Sequence, residues 1–119
     1  MDVFFYIMGS ICAILPLLMG IILKCIPPKE INRYYGFRTK LTMSSQEAWE
    51  YSQRICAKLL IIFSSIEILI YLIFVIINPT FLENRKWIVF IVGFVLMVLC
   101  VILVIAISLK KTKNFLNKK

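Results

Sequence analysis

The sequence predicts an all-α integral membrane protein with three transmembrane helices, and three observations lead to that fold class. Of the 119 residues, 61% are hydrophobic, whereas a soluble domain is about 45–50% apolar. Three apolar runs, 3–23, 59–77 and 87–109, each approach the ~20 residues that cross a hydrocarbon core as a helix. A charged segment, 24–58, separates the first two runs. We therefore expect a single membrane domain over 1–119.

The first and third runs each carry a face of small residues. Such residues let membrane helices approach closely, so these faces are expected to pack on another helix or on a second copy of the chain in a homodimer. The first run lacks the basic start of a secretory signal peptide, because Asp2 follows Met1. The two faces are Gly9, Ala13, Pro16 and Gly20, and Gly93, Met97, Cys100, Val104 and Ser108.

The segment 24–58 is predicted to form a loop and then an amphipathic helix. Pro27 and Pro28 stop the first helix. Gly36 lies between two aromatic residues, which indicates a turn that needs positive φ or a close backbone approach. A helix is expected to restart at Ser44 or Ser45, and Ser44 followed by Glu47 fits a capping box. The helix is predicted to continue without a break to residue 77, with its first turns at the headgroup level.

Glu67 lies near the middle of the second run. A carboxyl group in hydrocarbon is costly and marks a functional candidate by default. It shares a stripe with Ser64, Tyr71 and Asn78, and no other charged residue lies within the runs to pair with it. We expect a protonated carboxyl that either responds to a proton or ligand or fixes the packing of the helices.

Basic residues predict the orientation. Twelve Lys and Arg residues lie in 24–58 and in the tail 110–119, whereas the turn 80–86 contributes only Arg85 and Lys86. The positive-inside rule places the long loop and the C-terminus in the cytoplasm and the N-terminus outside the cell membrane. Asn78 and Pro79 are predicted to end the second span, and the tail is predicted to be a frayed basic anchor.

The composition argues against an enzyme, a cofactor or a metal site. The chain has no histidine, and its four cysteines form no CxxC or CxxH motif, which removes the usual zinc, haem and Cys/His catalytic sets. The net charge is +8, and the basic residues that give rise to it flank the apolar runs. Binding to anionic lipid headgroups therefore explains the charge better than binding to nucleic acid.

A polar and aromatic cluster follows the first run, with the residues Asn32, Tyr35, Gly36, Phe37, Arg38 and Thr39, and then Ser44, Trp49, Arg54 and Lys58. In order and spacing it resembles the signature of the SdpI family of bacterial membrane proteins. The chain departs from the family pattern at Lys40, where proline is common, at Gln53, where asparagine is common, and at Ala57, where glycine is common. The resemblance covers about 15–72.

The resemblance implies a membrane immunity protein that gives resistance to a secreted peptide toxin or bacteriocin. It makes the signature residues candidates for binding the toxin or a cytoplasmic repressor, although an architectural role is favoured for Asn32, Gly36 and Trp49. Arg38 is suited to bind a carboxylate or phosphate group, or else it ties the loop to helix ends. Trp49 is expected to act as an anchor at the membrane–water interface. The alternative is a small accessory subunit of a transporter or signalling complex that binds a cytoplasmic regulator.

Overall fold

A computed structural model describes residues 2–77 and 87–118, which form three α-helices and contain no strand. The helices are α1 (Asp2–Cys25), α2 (Gln46–Ile77) and α3 (Trp87–Asn117). Each pair of helices is in contact, so the three form one bundle about 55 Å long. The predicted end of the second span at Asn78 and Pro79 and the turn 80–86 with Arg85 and Lys86 lie outside the described residues.

All three helices are long and apolar enough to cross a membrane, which confirms the predicted fold class. Their outward faces carry large aliphatic side chains, and Ile7, Ile73 and Ile102 are each more than half exposed. In water such a surface would be unstable, whereas in a bilayer it faces lipid tails. The chain is therefore a multi-pass membrane protein.

The small-residue faces pack against each other inside the bundle. A Cβ atom added at Gly93 would lie 2.8 Å from the carbonyl oxygen of Gly9, so the backbones of α1 and α3 touch there. A Cβ atom added at Gly20 would lie 2.9 Å from the Cβ of Leu60 in α2. The predicted faces are thus used within the chain, and a homodimer stays a prediction.

The second helix is continuous from Gln46 to Ile77, as predicted, and it begins at the second of its two predicted starts. The N–H of Ala48 donates to Ser45 Oγ (3.1 Å), and the N–H of Trp49 makes the first helical bond, to the carbonyl of Ser45 (3.0 Å). Ser45 is therefore the N-cap. The proposed capping box at Ser44 is wrong, because the Ser44 hydroxyl donates to the carbonyl of Leu41 in the preceding turn (2.6 Å).

The basic tail is not frayed, contrary to the prediction. Helix α3 continues through it to Asn117 because it has a packing partner, the first turns of α2. The ring of Phe115 stacks on that of Tyr51 with centroids 4.2 Å apart. Thr112 is fully buried, and its hydroxyl donates to the carbonyl of Ser108 (2.8 Å). Two helices therefore project together beyond the ~30 Å hydrocarbon core at the end that carries the α1–α2 loop.

Candidate functional site

The α1–α2 loop (26–45) folds around the side chain of Asn32. Its Oδ1 accepts hydrogen bonds from the backbone N–H groups of Tyr34 (2.9 Å) and Tyr35 (2.7 Å). Its Nδ2 donates to the carbonyl of Glu30 (2.9 Å). One short amide side chain thus replaces the backbone hydrogen bonds that a regular element would supply. Asn32 shapes the loop.

Tyr35 joins this turn to the end of α1. Its hydroxyl lies within hydrogen-bonding distance of the carbonyl oxygens of Ile22 (3.2 Å) and Ile26. Ile22 lies in the last turn of α1, and its carbonyl also accepts from the N–H of Ile26 (2.8 Å). Ile26 directly follows the helix, so its carbonyl has no intrahelical N–H group to bond. The tyrosine therefore caps α1 from the loop, and its ring packs on the core cluster that contains Leu23 and Leu60.

Gly36 needs to be glycine for both reasons that the sequence suggested. Its φ of 107° lies in the region that side-chain-bearing residues rarely adopt. A Cβ atom there would also lie 2.7 Å from Pro28 Cγ and 2.9 Å from Gln53 Oε1. The loop backbone therefore presses against α2 at this point.

Gln53 of α2 holds the next residue of the loop with both ends of its amide group. Its Oε1 accepts from the N–H of Phe37 (2.7 Å), and its Nε2 donates to the carbonyl of Phe37 (2.7 Å). The side chain is only 2% exposed. A buried amide that pairs with both polar groups of one residue fixes that residue in position and orientation.

Trp49 fastens the start of the loop. Its indole N–H donates to the carbonyl of Pro28 (2.7 Å), and its side chain is fully buried. The predicted role as an interfacial anchor is therefore wrong, because the ring packs inside the protein and not against lipid headgroups. Gln46, one turn earlier in α2, donates to the carbonyl of Lys29 (2.5 Å).

A second turn completes the loop before α2 begins. The hydroxyl of the fully buried Thr42 accepts from the N–H of Thr39 (2.7 Å) and lies 3.0 Å from the carbonyl oxygen of Phe37. The N–H of Thr42 in turn donates to Thr39 Oγ1 (3.2 Å). The two threonines hold 37–42 in one conformation.

An apolar groove of about 390 Å³ lies beneath this loop, between all three helices. Met19 and Ile22 of α1 and Ile105 of α3 line it and are also 55%, 48% and 37% exposed. Because these residues lie on the lipid-facing surface, the groove is accessible from within the bilayer. Its single charged lining residue is Arg38.

Arg38 is exposed at this groove. Its guanidinium group makes no hydrogen bond or ion pair with any residue that the structure describes. The reading in which Arg38 ties the loop to helix ends thus receives no support from these contacts. The arrangement offers a permanent positive charge beside an apolar groove, which suits a ligand that is apolar and carries one anionic group.

The structure brings some of the predicted residues together and keeps others apart. Arg54 and Lys58 lie on an exposed face of α2, whereas Cys56 and Leu60 of the same helix line the groove. Tyr34 is 92% exposed on the loop surface. The residues gathered around the groove and its covering loop are Asn32, Tyr35, Gly36, Phe37, Arg38, Thr39 and Trp49.

Glu67 lies in the bundle interior and is only 4% exposed. The thiols of Cys12 in α1 and Cys100 in α3 are its ionisable neighbours on the other two helices. Among the described residues no hydrogen bond of ordinary geometry reaches either carboxyl oxygen or the hydroxyls of Tyr71 and Ser108. The Cys100 thiol lies close enough to Glu67 for a weaker hydrogen bond, as the Ser10 hydroxyl does to Tyr71. The sequence placed Ser64, Glu67 and Tyr71 on one stripe, and all three are buried.

Two residues that organise this site were missed as functional from the sequence. Gln53 was placed on one helix face with Trp49, Cys56 and Leu60 and was noted as a departure from a common asparagine, but no role was assigned to it. Both asparagine and glutamine carry the carboxamide that pairs with Phe37, and the face shared with Trp49 is the signal that indicates this role. Thr42 gave no signal, because a threonine in a loop becomes a hydrogen-bonding centre only through contacts made by the fold.

Comparison with known proteins gives a family and one relative. A model of the SdpI/YfhL protein family matches residues 29–107, which include most of the α1–α2 loop and all of α2. The uncharacterized protein YfhL of Bacillus subtilis (strain 168) is 44% identical over 48 residues, or 40% of this chain and 44% of that relative. The match therefore spans less than half of the relative's length. No solved structure matches the chain.

Proposed function

The chain belongs to the SdpI/YfhL protein family, and on that premise we propose that it is a membrane immunity protein. It protects its cell from a secreted peptide toxin by binding the toxin within the bilayer. The observation that carries the binding step is the guanidinium of Arg38, which has no partner among the described residues and lies beside an apolar groove bordered by lipid-facing residues.

The groove determines which part of a toxin it accepts. A peptide in the hydrocarbon core must satisfy its own backbone hydrogen bonds, so it enters as a helix and offers only side chains. The groove, at about 390 Å³, is large enough for a few aliphatic side chains and is too small for a whole helix. An acidic group of the toxin pairs with Arg38 at the rim, where a charge-assisted bond is strong.

The rigid loop supports this role. Asn32, Tyr35, Gln53 and Thr42 hold the segment that carries Arg38 through hydrogen bonds to backbone groups on both sides of it. A positioned arginine loses less conformational entropy on binding than a mobile one. The positive-inside rule puts this loop on the cytoplasmic side, so a toxin segment that crosses the bilayer brings its inner end to the groove. The protein acts as a binder and not as an enzyme.

Survival of cells that express the protein tests the proposal. Toxin-sensitive bacteria are challenged with a panel of membrane-active peptide toxins, and membrane levels of all variants are matched. Wild type is expected to raise the tolerated concentration of at least one toxin. Arg38→Ala is expected to lower that concentration about tenfold, since a charge-assisted hydrogen bond contributes about 1.5–3 kcal/mol.

The matched control is Arg33→Ala, which removes an equally exposed arginine of the same loop that does not line the groove. It is expected to protect as wild type does. Full protection by Arg38→Ala, or no protection by wild type against any toxin, would contradict the proposal.

The buried Glu67 favours a second candidate function, a proton-coupled accessory subunit. Its carboxyl group is buried with no hydrogen bond of ordinary geometry from the described residues, the Cys100 thiol being its nearest polar neighbour on α3, and an ionisable group in a span often marks a proton path. Glu67→Gln distinguishes the two functions in the same assay. Preserved protection in this variant supports toxin binding at the groove, whereas lost protection with intact folding supports the accessory role.

A further inference from the structure

A second cleft lies at the loop end of the bundle, between the α1–α2 loop and α3. It is shallow and open, with a volume of about 470 Å³, and its surface is almost entirely apolar because its three exposed lysines line it with their aliphatic stems. None of the lining residues is acidic. The lining residues are Thr39, Lys40 and Leu41 of the loop and Leu109, Lys110 and Lys113 of α3. We propose that this cleft binds the headgroup of an anionic phospholipid.

The cleft lies at the depth where a headgroup is found. Leu109 is the last residue of the apolar run in α3, and Lys110 begins the charged part of the helix. Leu41 and Leu109 are half-buried and form an apolar side of the cleft. A phospholipid places its phosphate beside the lysines and its glycerol and first acyl carbons beside the two leucines. A free phosphate ion would gain no binding energy from contact with the two leucines.

The fold holds the lysines in place before a lipid arrives. Lys110 and Lys113 are three residues apart and therefore share a helix face. The stacking of Phe115 on Tyr51 keeps this part of α3 helical and against α2. Lys40 follows Thr39, whose N–H group is bonded to Thr42 Oγ1 (2.7 Å). Within the described chain, none of the three lysines forms an ion pair, so their charges are available to a phosphate.

The site goes beyond the proposed function, since it does not involve the groove or Arg38. Its chemistry selects charge in the headgroup: a zwitterionic lipid presents an ammonium group to the same lysines and binds less well. Each lysine near an anionic lipid surface contributes a factor of about five to the binding constant.

The test is retention of lipid by the purified full chain. The protein is transferred into mixed micelles of detergent with equal phosphatidylglycerol and phosphatidylcholine, and bound lipid is counted by native mass spectrometry. The wild-type protein is expected to retain phosphatidylglycerol in preference to phosphatidylcholine. The double variant Lys110→Ala/Lys113→Ala is expected to lose that preference by about tenfold or more.

The matched control is Lys111→Ala/Lys118→Ala, which removes the same charge from the same helix at positions that do not line the cleft. It is expected to retain the lipid as wild type does, and circular dichroism checks that both double variants keep their helices. Equal loss in the two double variants would overturn the proposal, because binding would then follow net charge alone. Complete displacement of the lipid by millimolar inorganic phosphate would also overturn it.

Discussion

Replacing Gly93 with Leu is expected to destabilise the bundle by about 3 kcal/mol or more. A Cβ atom at this position would lie 2.8 Å from the carbonyl oxygen and 3.1 Å from the Cα of Gly9. Both are backbone atoms, so no side chain can rotate to make room. Helices α1 and α3 must move apart, and the close contact that small residues give to membrane helices is lost.

Thermal unfolding in detergent, followed by circular dichroism, measures this effect. Ala106→Leu is the matched control, because it adds a leucine side chain to an exposed position of the same helix. The control is expected to change stability by less than about 0.5 kcal/mol. If Gly93→Leu unfolds at the wild-type temperature, the helix crossing at Gly9 is incorrect.

Replacing Gln53 with Leu is expected to release the loop from α2 and to cost about 2–4 kcal/mol. Leucine is similar in size to glutamine but has no amide group, so both hydrogen bonds to Phe37 are lost. The N–H of Phe37 is then left without its partner, and an unsatisfied polar group inside a protein is more costly than a missing bond at the surface.

The rate of trypsin cleavage at the loop reports this release directly. Arg33, Arg38 and Lys40 are exposed, but they lie on a loop that is bonded to α2. We expect cleavage to accelerate in Gln53→Leu. Gln46→Leu is the control, because Gln46 also bonds to the loop but is exposed to solvent, so its loss is expected to change the rate little. Equal rates in wild type and Gln53→Leu would show that the Gln53 amide does not hold the loop.

The helices and their inner faces were predictable from residue spacing. Small residues at spacings of three and four in α1 indicated the face with Gly9 and Gly20, and both residues contact a neighbouring helix. The stripe of Ser64, Glu67 and Tyr71 was indicated in the same way. A helix repeats every 3.6 residues, so a face that avoids lipid leaves a pattern in the sequence.

The ends of the helices were less predictable, because tertiary contacts determine them. The charged tail has the composition of a frayed segment, but the stacking of Phe115 on Tyr51, 64 positions earlier in the numbering, and the burial of Thr112 keep it helical. Ser44 and Ser45 are equally good caps by type. The preceding turn uses the hydroxyl of Ser44 for Leu41, which leaves Ser45 as the cap.

The loop shows how far a sequence can assign roles within a site. The signature predicted that Asn32, Tyr35, Gly36, Arg38 and Trp49 belong together, and the fold gathers them. The sequence favoured an architectural role for Asn32, Gly36 and Trp49 and left Arg38 open between binding and architecture. That choice depends on hydrogen-bond partners, which the structure gives for Asn32, Tyr35 and Trp49 and, within the described residues, does not give for Arg38.

The central claim is that the groove beneath the loop binds the toxin, and filling the groove tests it most directly. Survival under toxin is compared for Ile105→Trp and Ile102→Trp at equal membrane levels. Both are exposed isoleucines of α3, 37% and 55% accessible, but only Ile105 lines the groove. We predict that Ile105→Trp loses protection while Ile102→Trp retains it. Equal protection by the two variants would contradict toxin binding in the groove.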